Sequence, residues 1–209
     1  EDFFKALGYF QNKHKFANVE SSDLKTAVEE ATGRNMQWFF EQWIWGGGHP
    51  VFEVGSNYLS DRKKVELTVK QVQAFVDGQG LFELPVEIRI DVKGKSTRHV
   101  VWVGREEDFF TFDVSGKPDM VSFDGRGALV CEFKFQKDLD ELLYQLSNVE
   151  LPGRLWALHQ LVTGYTSNPK TAGAIRSLLA GAAPAFLKAE ASLQLRHIHS
   201  PDAEALLVR

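Results

Sequence analysis

Residues 35–50 read Asn35-Met36-Gln37-Trp38-Phe39-Phe40-Glu41-Gln42-Trp43-Ile44-Trp45-Gly46-Gly47-Gly48-His49-Pro50, and this stretch decides how the rest of the chain divides. Asn35 is a good N-cap and the glycines from Gly46 are a good stop, so a single helix is expected between them. At about 100° per residue, Met36, Phe39, Phe40, Trp43 and Ile44 make one apolar arc roughly 140° wide. Trp38 and Trp45 fall on the opposite side, between Glu41 and Gln42. A helix with apolar groups on two sides is gripped from two sides. This one is therefore expected to be a junction between a body built before it and one built after it.

Upstream the spacing is helical. Phe3, Phe4, Leu7 and Phe10 recur at helix intervals, and Ser21 or Ser22 opens a second helix through Leu24, Ala27, Val28 and Ala31 that Gly33 closes. Glu29 and Glu30 are adjacent, hence about 100° apart on a helix, and read as a solvated helix end rather than an acid–base pair. Downstream of Pro50 the period drops to 2. Val51 to Asn57, Val65 to Val69, Leu84 to Val92, His99 to Val103, Phe109 to Asp113, Met120 to Phe123 and Ala128 to Phe135 read as strands. Asp77-Gly78, Lys93-Gly94-Lys95, Gly104, Ser115 to Pro118 and Asp124-Gly125 supply the turns. Seven short strands at this spacing predict an antiparallel β-sandwich of the immunoglobulin or fibronectin kind, with charges at alternate positions keeping its outer faces wet.

After Lys137 the helical period returns. Leu139, Leu142, Leu143 and Leu146 form one stripe, and Leu155, Leu158, His159, Leu161 and Val162 form the next. Asn168-Pro169 opens a third helix that Gly181 ends, Pro184 opens a fourth and Pro201 a fifth. Short helices joined by Gly/Pro turns predict the start of a hairpin array of the HEAT or armadillo kind, whose faces need stacked neighbours. The whole is thus expected as an α+β multidomain chain: terminal helices over 1–48, the sandwich over 49–136 and the first helical repeats over 137–209.

Composition sets bounds. The chain has 209 residues, 44% hydrophobic and 25% charged, with a net charge of −4 and no basic block, which argues against a nucleic-acid or membrane-surface partner. No apolar run approaches the roughly 18–20 residues of a membrane span. The single cysteine, Cys131, excludes an internal disulfide and a multi-cysteine metal site. The chain begins at Glu1 inside a helical pattern and ends in another, Ala203 to Arg209, so it is expected to be a piece of a longer polypeptide. Targeting signals and compartment are then left open.

Trp38-Phe39-Phe40-x-Gln42-Trp43, followed by Gly48-His49-Pro50-Val51, resembles the signature that ends the catalytic domain of aminopeptidase-N-type zinc metallopeptidases, the gluzincin aminopeptidases. The resemblance extends to a Gln-rich strand at Leu67 to Gln73, a Phe-x-Leu-Pro-Val entry at Phe82 to Val86, a closing pattern at Pro118, Val121 and Asp124, and Arg154 with Ala157 in the helices. It implies that a β-sandwich and then a helical-repeat domain follow the catalytic domain. It also implies zinc in the parent enzyme, a peptide substrate, and catalytic and helical domains of the parent as partners. The residues carrying the structural junction would be Trp38, Phe39, Phe40, Gln42, Trp43, Trp45, Gly48, His49 and Pro50.

No catalytic, cofactor-binding or metal-binding residue is assigned in this chain. The family's zinc motif is His-Glu-x-x-His, which sets two histidines on one helix face with a glutamate as base, and none of the six histidines here is followed by glutamate. His197 and His199 are two apart, about 160° on a helix, which prevents a shared metal there; in an extended segment they would share a face, but no third ligand is evident nearby. His49 is expected to hydrogen-bond across the helix–strand corner, and His159 to be packed on its apolar stripe. Pro118-Asp119 with Glu132-Phe133-Lys134 fits the loose spacing of magnesium-dependent nucleases, but it equally fits a strand with Cys131, Phe133 and Phe135 facing inward. Gly46-Gly47-Gly48 sits at a helix C-terminus, the wrong end of the dipole for a phosphate, and Cys131 reads as a buried, inert mid-strand thiol. The expected role is a non-catalytic C-terminal segment that positions the helical domain over the parent's peptide-binding cleft. The alternative is a non-peptidase relative serving as an interaction or scaffold module.

Overall fold

The computed structural model describes residues 1–74 and 80–195. The Asp77-Gly78 turn, His197, His199 and the helix expected from Pro201 lie outside the described residues. The first two helices, α1 (Asp2–Lys13) and α2 (Ser21–Thr32), pack as a hairpin. Glu20, rather than Ser21 or Ser22, caps α2, because its carboxylate and that of Asp23 exchange hydrogen bonds with each other's backbone N–H in a capping box. Gly33 closes the helix at φ 70°, a conformation open to glycine without strain. Glu29 and Glu30 diverge as adjacent helical residues must: Glu29 accepts from the Met36 N–H at 2.9 Å, and Glu30 pairs with Lys13 of α1.

The stretch 35–50 departs from the single α-helix expected of it. Asn35 Oδ1 does accept from the Gln37 N–H at 3.0 Å. Only α3 (Gln37–Phe40) is α-helical, however, and Glu41–Trp45 widens into a π turn. Gly46 explains why the wide turn is possible. A Cβ there would lie 2.7 Å from the Glu41 carbonyl oxygen and 2.9 Å from that of Gln42, so only glycine lets the chain fold back this tightly. The π turn also shifts the phase of the side chains. Phe40 is buried, but Ile44 and Trp45, expected in the grip of two bodies, are each about half exposed.

Seven strands follow in two sheets: β1 (Val51–Leu59), β2 (Lys64–Gln71), β3 (Leu84–Val92), β4 (Lys95–Val103), β5 (Glu107–Asp113), β6 (Met120–Phe123) and β7 (Glu132–Phe135). One sheet has the order β5-β2-β1-β7 and the other β4-β3-β6. Both contribute to one apolar core, Phe52, Leu67 and Val69 from the first and Val86, Ile88, Val103 and Phe123 from the second. The period-2 pattern is the cause, since Val65, Leu67 and Val69 point inward while Glu66 and Lys70 point out. Lys93 and Gly94, at φ 50° and 72°, form the two-residue hairpin between β3 and β4.

Three expectations for the strands need correcting. The sheets are not wholly antiparallel: β7 runs parallel to β1, with Glu132 opposite Val51 and Phe135 opposite Val54. The chain crosses over from β6 in the other sheet and enters beside the start of β1, which gives both strands the same direction. The strand expected over 128–135 begins only at Glu132, because the Asp124 carboxylate accepts the N–H groups of Ala128 and Leu129 and folds them into a turn. Cys131 accordingly sits just before the strand rather than in its middle. Finally, one outer face is not wet, since Arg89 and Asp91 of β3 are covered by helices.

Those helices are α4 (Leu139–Asn148), α5 (Leu151–Gly164), α6 (Pro169–Ala180) and α7 (Ala185–Gln194). Asp138 caps α4 by accepting from the Glu141 N–H, and Asn168 caps α6 ahead of Pro169, as the sequence pattern predicts. Leu142, Leu146, Leu158, Leu161, Ile175, Leu178 and Leu187 close a second core, separate from that of the sheets, with Trp156 packed against both.

Candidate functional site

The groups that matter here join one body to the next, and two such joints exist among the described residues. At the first, the irregular segment leading into β3 is held by glutamine amides. The Gln42 side chain donates to the Glu83 carbonyl at 3.1 Å and accepts from the Glu83 N–H. The Gln71 side chain donates to the Phe82 carbonyl at 2.8 Å and accepts from the Phe82 N–H at 2.9 Å. A carboxamide carries one donor edge and one acceptor edge, so each glutamine pairs a backbone unit as a neighbouring strand would. Gln73 extends the chain of bonds, donating to Gln71 at 3.0 Å and accepting from the Val51 N–H at 3.2 Å. Gln71 and Gln73 are buried, where an amide tolerates no orphan edge, and both edges of each are bonded.

Aromatic contacts complete this joint. Trp43 lies against Phe82 with ring centroids 5.1 Å apart, and Trp38 meets Trp102 of β4 edge-on at 5.5 Å. Phe39 touches both Trp38 and Phe40, and Trp45 turns back onto Phe40 at 5.7 Å. Gly48 adopts φ 76°, Pro50 is buried, and His49 Nε2 lies 3.0 Å from the Glu132 carboxylate on β7. The helix–strand corner is thus tied to the strand that runs beside β1.

The second joint uses charge. The Lys137 side chain, 1% exposed, donates to the Val121 carbonyl on β6, to Glu141 at 2.9 Å and to Gln145 at 2.8 Å. Glu141 in turn accepts from the Val121 N–H at 2.9 Å. The Lys137 ammonium also lies 4.6 Å from the Phe135 ring centroid and 5.7 Å from that of Trp156. Burial pushes this lysine below its usual range, while Glu141 pulls the other way. Beside it, Arg89 grips Asp91 with two bonds of 2.9 and 2.7 Å and reaches the Asn148 carbonyl at 2.8 Å and Glu150 at 3.2 Å. Tyr144 adds a bond to Asp91, and Arg98 a second partner for Glu150. Gly153 N–H donates to the Gly125 carbonyl at 3.1 Å, where a Cβ on Gly153 would sit 3.0 Å from that oxygen. Phe133 stacks on Trp156 at 5.3 Å and 19°. Sheets and helices meet through a closely fitted surface.

The remaining sequence candidates find other roles. Asp119 accepts from the Gly94 N–H at 3.2 Å and lines a cavity with Asn57 and Tyr58, at the far end of β1 from Glu132. Six strand residues separate those ends, about 20 Å, so the nuclease spacing does not bring its carboxylates together. His159 is exposed rather than packed, and lies 3.3 Å from Glu190 of α7; its position falls at the edge of the α5 stripe. Burial, helped by Asp124, pushes the Cys131 thiol up to about 12, which keeps it protonated. No group of three or more His, Cys, Asp or Glu side chains able to hold a metal occurs among the described residues. Sequence reasoning missed Gln71, Arg89, Lys137 and Glu141. Gln71 stood in the Gln-rich strand, Lys137 and Glu141 stood at the start of a predicted helix, and Arg89 gave no signal beyond that of an outward-facing strand charge.

No protein-family model matches the chain. It is 32% identical over 129 residues to tricorn protease-interacting factor F2 of Thermoplasma acidophilum, which covers 60% of this chain and 16% of that protein. It is 31% identical over 90 residues to aminopeptidase N of Lactococcus lactis, covering 41% of this chain and 10% of the relative. The chain therefore matches only about a sixth or less of these relatives' length. Its fold superposes on that of Legionella pneumophila aminopeptidase A, solved with aspartic acid, with a TM-score of 0.75 at 20% identity, over 99% of this chain and 26% of that one. With its tryptophan-rich corner, its two sheets and its helices in this order, the chain is related to the aminopeptidase-N-type metallopeptidases.

Proposed function

We propose that this chain is an architectural segment of a zinc-dependent aminopeptidase. In this reading residues 1–48 are the last helices of the catalytic domain, residues 49–136 an immunoglobulin-like sandwich, and residues 137–209 the opening of a HEAT-like helical domain. The sandwich sets the angle at which the helical domain covers the peptide-binding cleft, and so limits entry to short peptides. Trp38 to Pro50 serve as the structural junction. Zinc and the groups that activate water belong to the remainder of the parent.

The observation that carries the reading is the pair of joints, each fastened by side chains that bond another element's backbone. A spacer that merely linked two domains would need no such fixed geometry. The aromatic side chains left bare on α1 and on the turn that follows it agree with it. Phe3, Phe4 and Phe16 are 69%, 74% and 98% exposed, which is expected of a surface that packs on a larger body. The same side chains would serve a scaffold protein. A His-Glu-x-x-His motif encoded upstream of Glu1 separates the two, because only the peptidase reading requires it.

The purified chain should hydrolyse no aminoacyl-anilide and hold no stoichiometric zinc. Elemental analysis finding one tightly bound zinc per chain, or metal-dependent release of the aniline, would overturn the non-catalytic assignment. Trp38→Ser with Phe4→Ser should lower the binding of an apolar dye, and unchanged binding would count against a docking face there.

A further inference from the structure

The edge strand β6 poses a problem whose solution points to a conformational device. β6 pairs with β3 on one side only, and with Asp124 N–H bonded to the Glu87 carbonyl, Val121 is a residue whose N–H and C=O face away from β3. Among the described residues no strand lies beside it in the sheet order β4-β3-β6. Glu141 instead accepts from the Val121 N–H, Lys137 donates to its carbonyl, and the two side chains bond each other. Lys137 immediately precedes the capping residue of α4 and Glu141 lies in its first turn. Together they present one donor and one acceptor at the spacing of a strand.

We propose that the Lys137–Glu141 pair is a surrogate strand residue that selects one angle between the sheets and helices α4–α7. The apolar contact at this joint, Phe133 stacked on Trp156, tolerates sliding. The backbone bonds to Val121 do not, because a donor and an acceptor must both stay in register. The pair thus adds orientation at the β6 edge, alongside the Arg89 bonds to Asn148 and Glu150, where apolar packing supplies adhesion. This rests on the geometry of the joint alone and holds whether or not the longer protein is a peptidase.

The test uses the full chain with spin labels at Glu66→Cys on β2 and Ser192→Cys on α7, in a Cys131→Ala background, read by pulsed electron resonance. The parent should give one narrow distance distribution. Lys137→Met combined with Glu141→Leu removes the backbone bonds and replaces the pair by apolar groups. It should keep its circular dichroism but broaden and shift the distribution. A folded double variant with the parent's narrow distribution would overturn the proposal. Should the double variant fail to fold, hydrogen exchange of the unsubstituted chain decides. The Val121 amide should be protected as well as that of Ser122, whereas exchange as fast as an open sheet edge would sink the idea.

Discussion

Replacing Lys137 by Met should cost about 3–5 kcal/mol, the range for stranding one member of a buried ion pair. The structure gives the reason. Methionine loses the ammonium's contacts with the Phe135 and Trp156 rings but can lay a thioether of similar reach against them, so little packing is lost. Glu141 keeps one hydrogen bond, from the Val121 N–H, but loses its counter-ion, and the Val121 carbonyl and the Gln145 amide oxygen lose their donor. With a urea dependence on the order of 2–3 kcal/mol per molar, the unfolding midpoint should fall by roughly 1–2 M. Tryptophan fluorescence and far-ultraviolet circular dichroism should be followed together, since a split between them would show sheets and helices unfolding separately. Adding Glu141→Leu removes the stranded charge and leaves the two Val121 groups and the Gln145 amide oxygen without these partners, so part of the loss should return, leaving a deficit of about 1–3 kcal/mol. A single variant within about 1 kcal/mol of the parent would refute the reasoning. So would a double variant no more stable than the single one.

Other variants probe the rest of the frame. Gln71→Leu strands both backbone groups of Phe82 in a buried setting and should cost about 2–4 kcal/mol by urea titration, whereas Gln71→Glu can keep the accepted bond but not the donated one. Gly46→Ala should cost about 1–3 kcal/mol by the same titration and leave Trp45 in a changed environment by fluorescence, because its Cβ would press on the Glu41 carbonyl. Burial alone would raise the Asp91 carboxyl, but its bonds from Arg89 and the other donors outweigh this and hold it below the usual 3.8. A depressed carboxyl stabilises above its unfolded value and loses that contribution as pH falls through the folded one. Thermal unfolding midpoints taken across the acid range should therefore drop less steeply below pH 3.8 for Asp91→Asn than for the parent. Cys131, part-buried and with its thiol pushed up to about 12, should react with an aromatic disulfide at pH 8 much more slowly in the folded chain than in denaturant, where it reacts as a free thiol.

What was legible in the sequence follows from which forces are periodic. The strands through Val65, Leu67 and Val69 and the helix through Leu139, Leu142 and Leu146 could be read because burial recurs at 2 or 3.6 residues regardless of partner. The same logic failed at Ile44 and Trp45. One π turn adds a residue to the count and moves every later side chain, and nothing in the apolar pattern announces the close approach at Gly46 that permits it. It failed again at Arg89 and Asp91, which alternate outward as surface charges should, yet lie under α4 and α5. The joints were the least legible part, since a glutamine or lysine that pairs backbone looks the same in sequence as one in water. Gln71 meets Phe82, and Lys137 and Glu141 meet Val121, across elements whose relative placement periodicity does not encode. For a chain whose proposed work is to hold domains at an angle, these are the residues that matter. An edge strand without a neighbour must draw its hydrogen bonds from somewhere, and for Val121 of β6 they come from Lys137 and Glu141.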